Sequence, residues 1–185
     1  MDEAMWAFGR VSGFMSLALF TVSVLLGIFN RSGRPLLVLP RFSISILHRN
    51  IALLATVFLG LHVGSLLLDS YAKLRLVDVV VPFLGSYQPF WQGLGTVALD
   101  LVAAVVVTAL LRHRIGQRAF KAVHWFSYAV WPVAMAHAIG NGTDAGSEWF
   151  LLLAAASAVA VASALVWRLS SSFLETSKAR EGNLR

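Results

Sequence analysis

Residues 43–68 read SISILHRNIALLATVFLGLHVGSLLL and residues 119–140 read AFKAVHWFSYAVWPVAMAHAIG. Each stretch is long and apolar enough to cross a bilayer, and each carries two histidines. His48 and His62 lie 14 residues apart, His124 and His137 lie 13 apart, so at a rise of about 1.5 Å per residue each pair spans about 20 Å, most of the hydrocarbon thickness. Ionisable side chains inside a membrane are costly and mark functional sites by default. One pair per helix makes two levels. A level that draws one neutral imidazole from each of two neighbouring helices fills both axial positions of a six-coordinate haem iron. The pattern predicts a transmembrane b-type cytochrome, with His48 paired to His124 and His62 to His137.

Composition sets the class. The chain has 185 residues, is 58% hydrophobic and only 13% charged, and its mean hydropathy is +0.74, outside the range of soluble globular domains. It contains no cysteine, which excludes disulfides, cysteine-held iron-sulfur clusters and the thioether attachment of c-type haem. The net charge of +6 is accounted for by membrane topology, so no nucleic-acid partner is expected.

Apolar runs at about 11–29, 43–68, 92–111, 119–140 and 149–169 predict about five transmembrane helices. The expected fold is an all-α polytopic membrane bundle: one domain over residues 1–170 and a polar cytoplasmic tail over 171–185. The run 76–84, with Asp78 and Pro82, is too short to cross and reads as interfacial or re-entrant. Arg31, Arg34, Arg41 and Arg49 cluster around the first loop, Arg112, Arg114, Arg118 and Lys121 around the third, and Arg168, Lys178, Arg180 and Arg185 at the end. Asp2, Glu3, Asp69, Asp78, Asp144 and Glu148 fall on the other side. The positive-inside rule then gives N-terminus out and C-terminus in, with Trp6, Trp91 and Trp149 at the outer boundary and Trp167 at the inner one. The first ten residues carry two acids and no basic cluster, so a cleaved signal peptide is not expected.

A ligating imidazole needs its second ring nitrogen satisfied, and the carbonyls one turn back belong to Ile44, Phe58, Phe120 and Val133. Gly60 and Gly64 flank His62 and suit either close approach of a porphyrin or helix packing through a G-x-x-x-G pair. At about 100° per residue, 14 residues return to within about 40° of the starting face, whereas 13 miss it by about 140°. Pro132 lies between His124 and His137, and a kink or tightened turn there would bring His137 round. Arg10, Arg41, Arg49, Lys73 and Arg75 are the candidate partners for haem propionates. Asp100, midway along the third span, is a candidate to orient a histidine or carry a proton. His113, between Arg112 and Arg114, reads as a solvated loop residue. Phe58, Phe126 and Trp131 fall between the two levels, as core packing or as a shortened apolar gap.

With these histidine pairs and the stretch TALLRHRIGQRAFKAVHWFSYAVWPVAMAH from Thr108 to His137, the chain resembles the ferric reductase-like transmembrane domain superfamily. That group includes ferric reductases, the membrane domain of NADPH oxidases and the haem-binding membrane subunit of bacterial methionine sulfoxide reductase systems. Gly116, Arg118, His124, Tyr128 and His137 carry the likeness. The resemblance implies two stacked b haems held by the four histidines, and an oxidoreductase component moving electrons across the cell membrane. It also implies a separate flavoprotein reductase or membrane quinol as donor and an acceptor on the outer face, against loops 70–90 and 141–148. No glycine-rich dinucleotide loop is present, so the chain carries no flavin or nicotinamide domain of its own. The cytochrome b subunit of quinol-oxidising complexes fits less well, because its Pro-Glu-Trp-Tyr motif is missing.

Three further readings stand beside an outward electron relay. They are the haem subunit of a periplasmic methionine sulfoxide reductase-type system, a non-redox haem sensor, and a small proton-coupled transporter using the histidines and Asp100. No catalytic side chain and no metal other than haem iron is indicated.

Overall fold

The computed structural model describes residues 2–32, 40–70, 72, 74–171 and 173. Its elements are α1 (Asp2–Ser32), α2 (Arg41–Leu68), α3 (Leu76–Val80), α4 (Pro89–Leu110), α5 (Arg112–His124), α6 (Ser127–Asn141) and α7 (Glu148–Leu169), with no strand among the described residues. The protein is an all-α, multi-pass membrane bundle.

Among the described residues, four helices rather than five are long and apolar enough to cross a membrane: α1, α2, α4 and α7. The fourth expected span is the one that falls short, because the run 119–140 does not fold as one helix. Its chain tightens at Trp125 and Phe126. The Phe126 N–H donates to Val123 O at 2.9 Å, Tyr128 N–H to Trp125 O at 3.2 Å and Ala129 N–H to Phe126 O at 2.9 Å. These are three-residue turns, wound at about 120° per residue instead of 100°. Three or four such residues recover about 60–80° of the angular mismatch between His124 and His137. What remains is α6, whose 15 residues reach about 22 Å, less than the hydrocarbon thickness. Pro132 lies inside α6 and offers no N–H to the turn before it, so the over-wound stretch sits just ahead of the proline rather than at it. Upstream, α5 is a basic segment with no buried residue. Gly116 breaks its helical course at φ 81°, a conformation that costs glycine nothing.

α1 is the spine. It runs antiparallel along α2, with Ser16 Oγ donating to Ala55 O at 3.0 Å, and also touches α6 and α7, while α4 packs along α6. The core closes where α1, α6 and α7 meet. There Trp131, Met135 and Val161 are buried against Leu17, Val24, Leu25, Ala154 and Leu165. Trp131 Nε1 donates to Thr21 Oγ1 at 2.8 Å, and that hydroxyl donates on to Leu17 O at 2.9 Å. An indole N–H in an apolar interior needs such a partner, so Trp131 is a packing anchor.

The two ends of the bundle are tied separately. At one, Arg10 forks onto Asp144 while lying 4.3 Å over the Trp6 ring, and Phe14 meets Trp149 edge-on at 5.5 Å. At the other, Phe29 packs on Trp167 at 5.3 Å. Arg168 lies over the rings of Trp125 at 5.1 Å and Tyr128 at 5.4 Å, bracing the break between α5 and α6.

The short segment 76–84 contains α3 and lies on α4. Arg75 and Asp78 close a reciprocal cap over its first turn, with Arg75 N–H to Asp78 Oδ2 at 3.1 Å and guanidinium to Oδ1 at 2.7 Å. Thr96 Oγ1 donates to Asp78 O at 2.7 Å. Phe83, at φ 69°, covers Gly93, where any Cβ would collide with its ring. Residues 174–185, most of the expected tail, lie outside the described residues.

Two outcomes follow. Trp131→Phe keeps the packing but removes the bond to Thr21, and should lower unfolding free energy in detergent by about 0.6–1 kcal/mol, against about 3–5 for Trp131→Ala. Hydrogen bonding from Arg75 holds the Asp78 carboxyl below its ordinary value of 3.8. A depressed carboxylate stabilises above the unfolded value and ceases to as pH falls through the folded one. Hydrogen exchange of residues 76–84 should therefore be pH-insensitive in its protection above about 4 and lose protection below it, and Asp78→Asn should abolish that transition.

Candidate cofactor-binding site

The structure brings His48 face to face with His124 and His62 within electrostatic reach of His137. α2 carries His48 and His62, α5 ends at His124 and α6 carries His137. The rings of His48 and His124 face each other with centroids 6.3 Å apart and planes at 87°. His62 lies within Coulombic reach of His137. Yet α2 has no extensive contact with α5 or α6. Two imidazoles on one metal, each bonded through nitrogen at about 2 Å, set their ring centroids about 6 Å apart. The His48–His124 pair thus fits bis-imidazole ligation of a single iron. Among the described residues no group of three or more His, Asp or Glu side chains converges as a metal cage.

The second ring nitrogens are held from outside the helix that bears them. His48 Nδ1–H donates to Ser23 O at 2.9 Å, with Ser23 Oγ at 3.3 Å. His62 donates to Gly9 O at 2.7 Å and His137 to Trp91 O at 2.8 Å. The expected partners one turn back, Ile44, Phe58 and Val133, are not used. A ligand side chain projects away from its own helix, and the nearest carbonyl in its path is on the neighbour. A proton fixed on Nδ1 leaves the Nε2 lone pair for a metal. His124 is the exception: its Nδ1 is buried and has no hydrogen-bond partner among the described residues, Phe120 O included.

Gly60 and Gly64 look onto open space, so their G-x-x-x-G pair packs no helix of this chain among the described residues. The glycines in tight contact with histidines are Gly13 and Gly27 on α1 and Gly95 on α4. These were missed because a glycine inside an apolar helix carries no signal until the register of its neighbour is known.

Among the candidate cations, Arg10 is engaged by Asp144 and Arg75 by Asp78. Arg49 is exposed beside His48, Arg41 opens the first turn of α2, and Lys73 lies outside the described residues. Arg31, read only as a topology signal, lies within Coulombic reach of His124. Asp100 is exposed on α4, and carbonyls rather than its carboxylate take the Nδ1 protons. His113 is exposed beside Arg112. Phe126 is exposed and Phe58 half-buried.

Residues 12–135 match the family described as ferric reductase like transmembrane component. The chain belongs to that family. The match covers His48, His62 and His124 and stops two residues short of His137. Membership in the ferric reductase-like family makes the protein a membrane electron-transfer component. Curated proteins and solved structures give no match.

Proposed function

We propose that the chain is a two-haem b-type electron carrier, the membrane subunit of an oxidoreductase, with His48 and His124 ligating one haem and His62 and His137 the other. The observation that carries this reading is the pair of perpendicular imidazoles at 6.3 Å on helices with no extensive packing between them. Haem b, when bound, supplies one-electron storage at its iron. The four histidines would hold the haems, and two imidazole nitrogens on each iron would leave outer-sphere electron transfer rather than reaction at the metal. Ser23 O, Gly9 O and Trp91 O fix three of the rings in the ligating tautomer.

Basic residues around the α1–α2 and α4–α5 connections orient the His48 and His124 level toward the cytoplasm and the N-terminus outward. Electrons enter at that level from a flavoprotein or quinol and leave at the opposite end, near the Arg10–Asp144 pair and the segment 76–84. With the outside positive, outward movement of one electron is favoured by about 2.3 kcal/mol per 100 mV. The family supports a separate reductase or donor partner.

The test is a pyridine haemochrome assay with reduced-minus-oxidised spectra on detergent-purified protein. Wild type should hold two b haems per chain. His48→Ala and His124→Ala should each remove one and the same haem, and His62→Ala and His137→Ala the other. A colourless protein that cannot be reconstituted contradicts the proposal.

A further inference from the structure

The three tethered histidines share a construction that goes beyond their hydrogen bonds. Each Nδ1 donates to a carbonyl whose own helix places a glycine four residues later: Gly9 and Gly13 for His62, Ser23 and Gly27 for His48, Trp91 and Gly95 for His137. One turn separates carbonyl from glycine, so both lie on the face the ring meets. A Cβ built at Gly13 would stand 2.7 Å from His62 Nδ1, one at Gly95 would stand 2.7 Å from His137 Cε1, and one at Gly27 would stand 3.3 Å from His48 Cε1. The first two approaches are closer than non-bonded atoms permit, so the missing side chain is what lets the imidazole settle over the carbonyl.

The spacing repeats on α1. Gly13 and Gly27 are 14 residues apart, as are Gly9 and Ser23, and so are the histidines of α2 that they receive. Fourteen residues make about 3.9 turns, which brings both positions back to one face of α1, opposite both histidines of its antiparallel partner. α4 does not repeat the pattern. Thirteen residues beyond Gly95, the step that separates His124 from His137, stands Thr108, whose Oγ1 donates to Ala104 O at 2.7 Å and Val105 O at 3.1 Å. The fourth position thus has a side chain where the others have none, and His124 Nδ1 has no partner.

We infer that Gly13, Gly27 and Gly95 are positioning residues, each half of a carbonyl-and-glycine seat that fixes one histidine's ring, and that His124 is unseated. The inference rests on the two-haem reading. It makes the ligand sets unequal: two seated rings at the His62 and His137 level, one seated and one unseated ring at the other.

The experiment is low-temperature EPR with a potentiometric titration on full-length haem-loaded protein, comparing wild type with five single variants. Gly13→Ala and Gly95→Ala should shift the signal and potential of the same haem, although they lie on different helices. Gly27→Ala should shift the other haem, and by less, because its Cβ has more room. Gly60→Ala and Gly64→Ala, whose Cβ would meet no histidine ring, should shift neither. Glycines that serve only packing would instead lower haem content or stability without choosing a level. The inference is overturned if Gly27→Ala leaves both haems unchanged or moves them equally, or if Gly13→Ala and Gly95→Ala act on different haems. Should either of the tighter variants fail to load haem, Gly27→Ala decides alone. Wild-type protein without two low-spin haems contradicts the proposed function as well, whereas two haems with silent glycine variants overturn the seats only.

Discussion

A neutral imidazole has one N–H, and inside a membrane bundle that proton must find an acceptor. A buried donor left unmatched costs about 1–3 kcal/mol, and the only abundant acceptors among apolar helices are backbone carbonyls. This requirement ties the site to the bundle. His48 and His62 reach α1 and His137 reaches α4, so the helices that bear the histidines are oriented by helices that bear none. Rotation of α2 by one residue would break two tethers at once. The antiparallel α1–α2 pair is therefore the element on which the site depends.

The rest of the bundle holds that pair in place. α1 is anchored on its other side by the buried Trp131, with its bond to Thr21, and by the packing of α6 and α7 around it. At one end Arg10, adjacent to the Gly9 carbonyl that receives His62, is clamped to Asp144 three residues after α6. At the other, Arg168 braces the over-wound turn that follows His124. Each level thus has its own external brace, and α2 makes no extensive contact with α5 or α6.

The histidines were legible in the sequence because ionisable residues inside apolar runs have few bland explanations, and their spacing alone sets two levels. The helical class and the non-spanning segment 76–84 were legible for a similar reason: length and hydropathy are local quantities. Arg75 and Asp78, three residues apart, also form a local cap. The break at Trp125–Phe126 was not legible, since neither residue is a breaker and the one proline lies downstream inside α6. The pairing of Arg10 with Asp144 joins positions 134 apart, and no pattern in one sequence links them. The seats at Gly13, Gly27 and Gly95 depend on the register between helices, which hydropathy does not encode.

Near-infrared magnetic circular dichroism of the purified ferric protein tests the central claim most directly, because the charge-transfer band of low-spin ferric haem reports the chemical identity of both axial ligands. The account predicts that all iron in the protein shows the bis-imidazole band, and that His124→Met moves the band of one haem only. High-spin iron, mixed ligation in the wild type, or a His124→Met spectrum identical to wild type would contradict it.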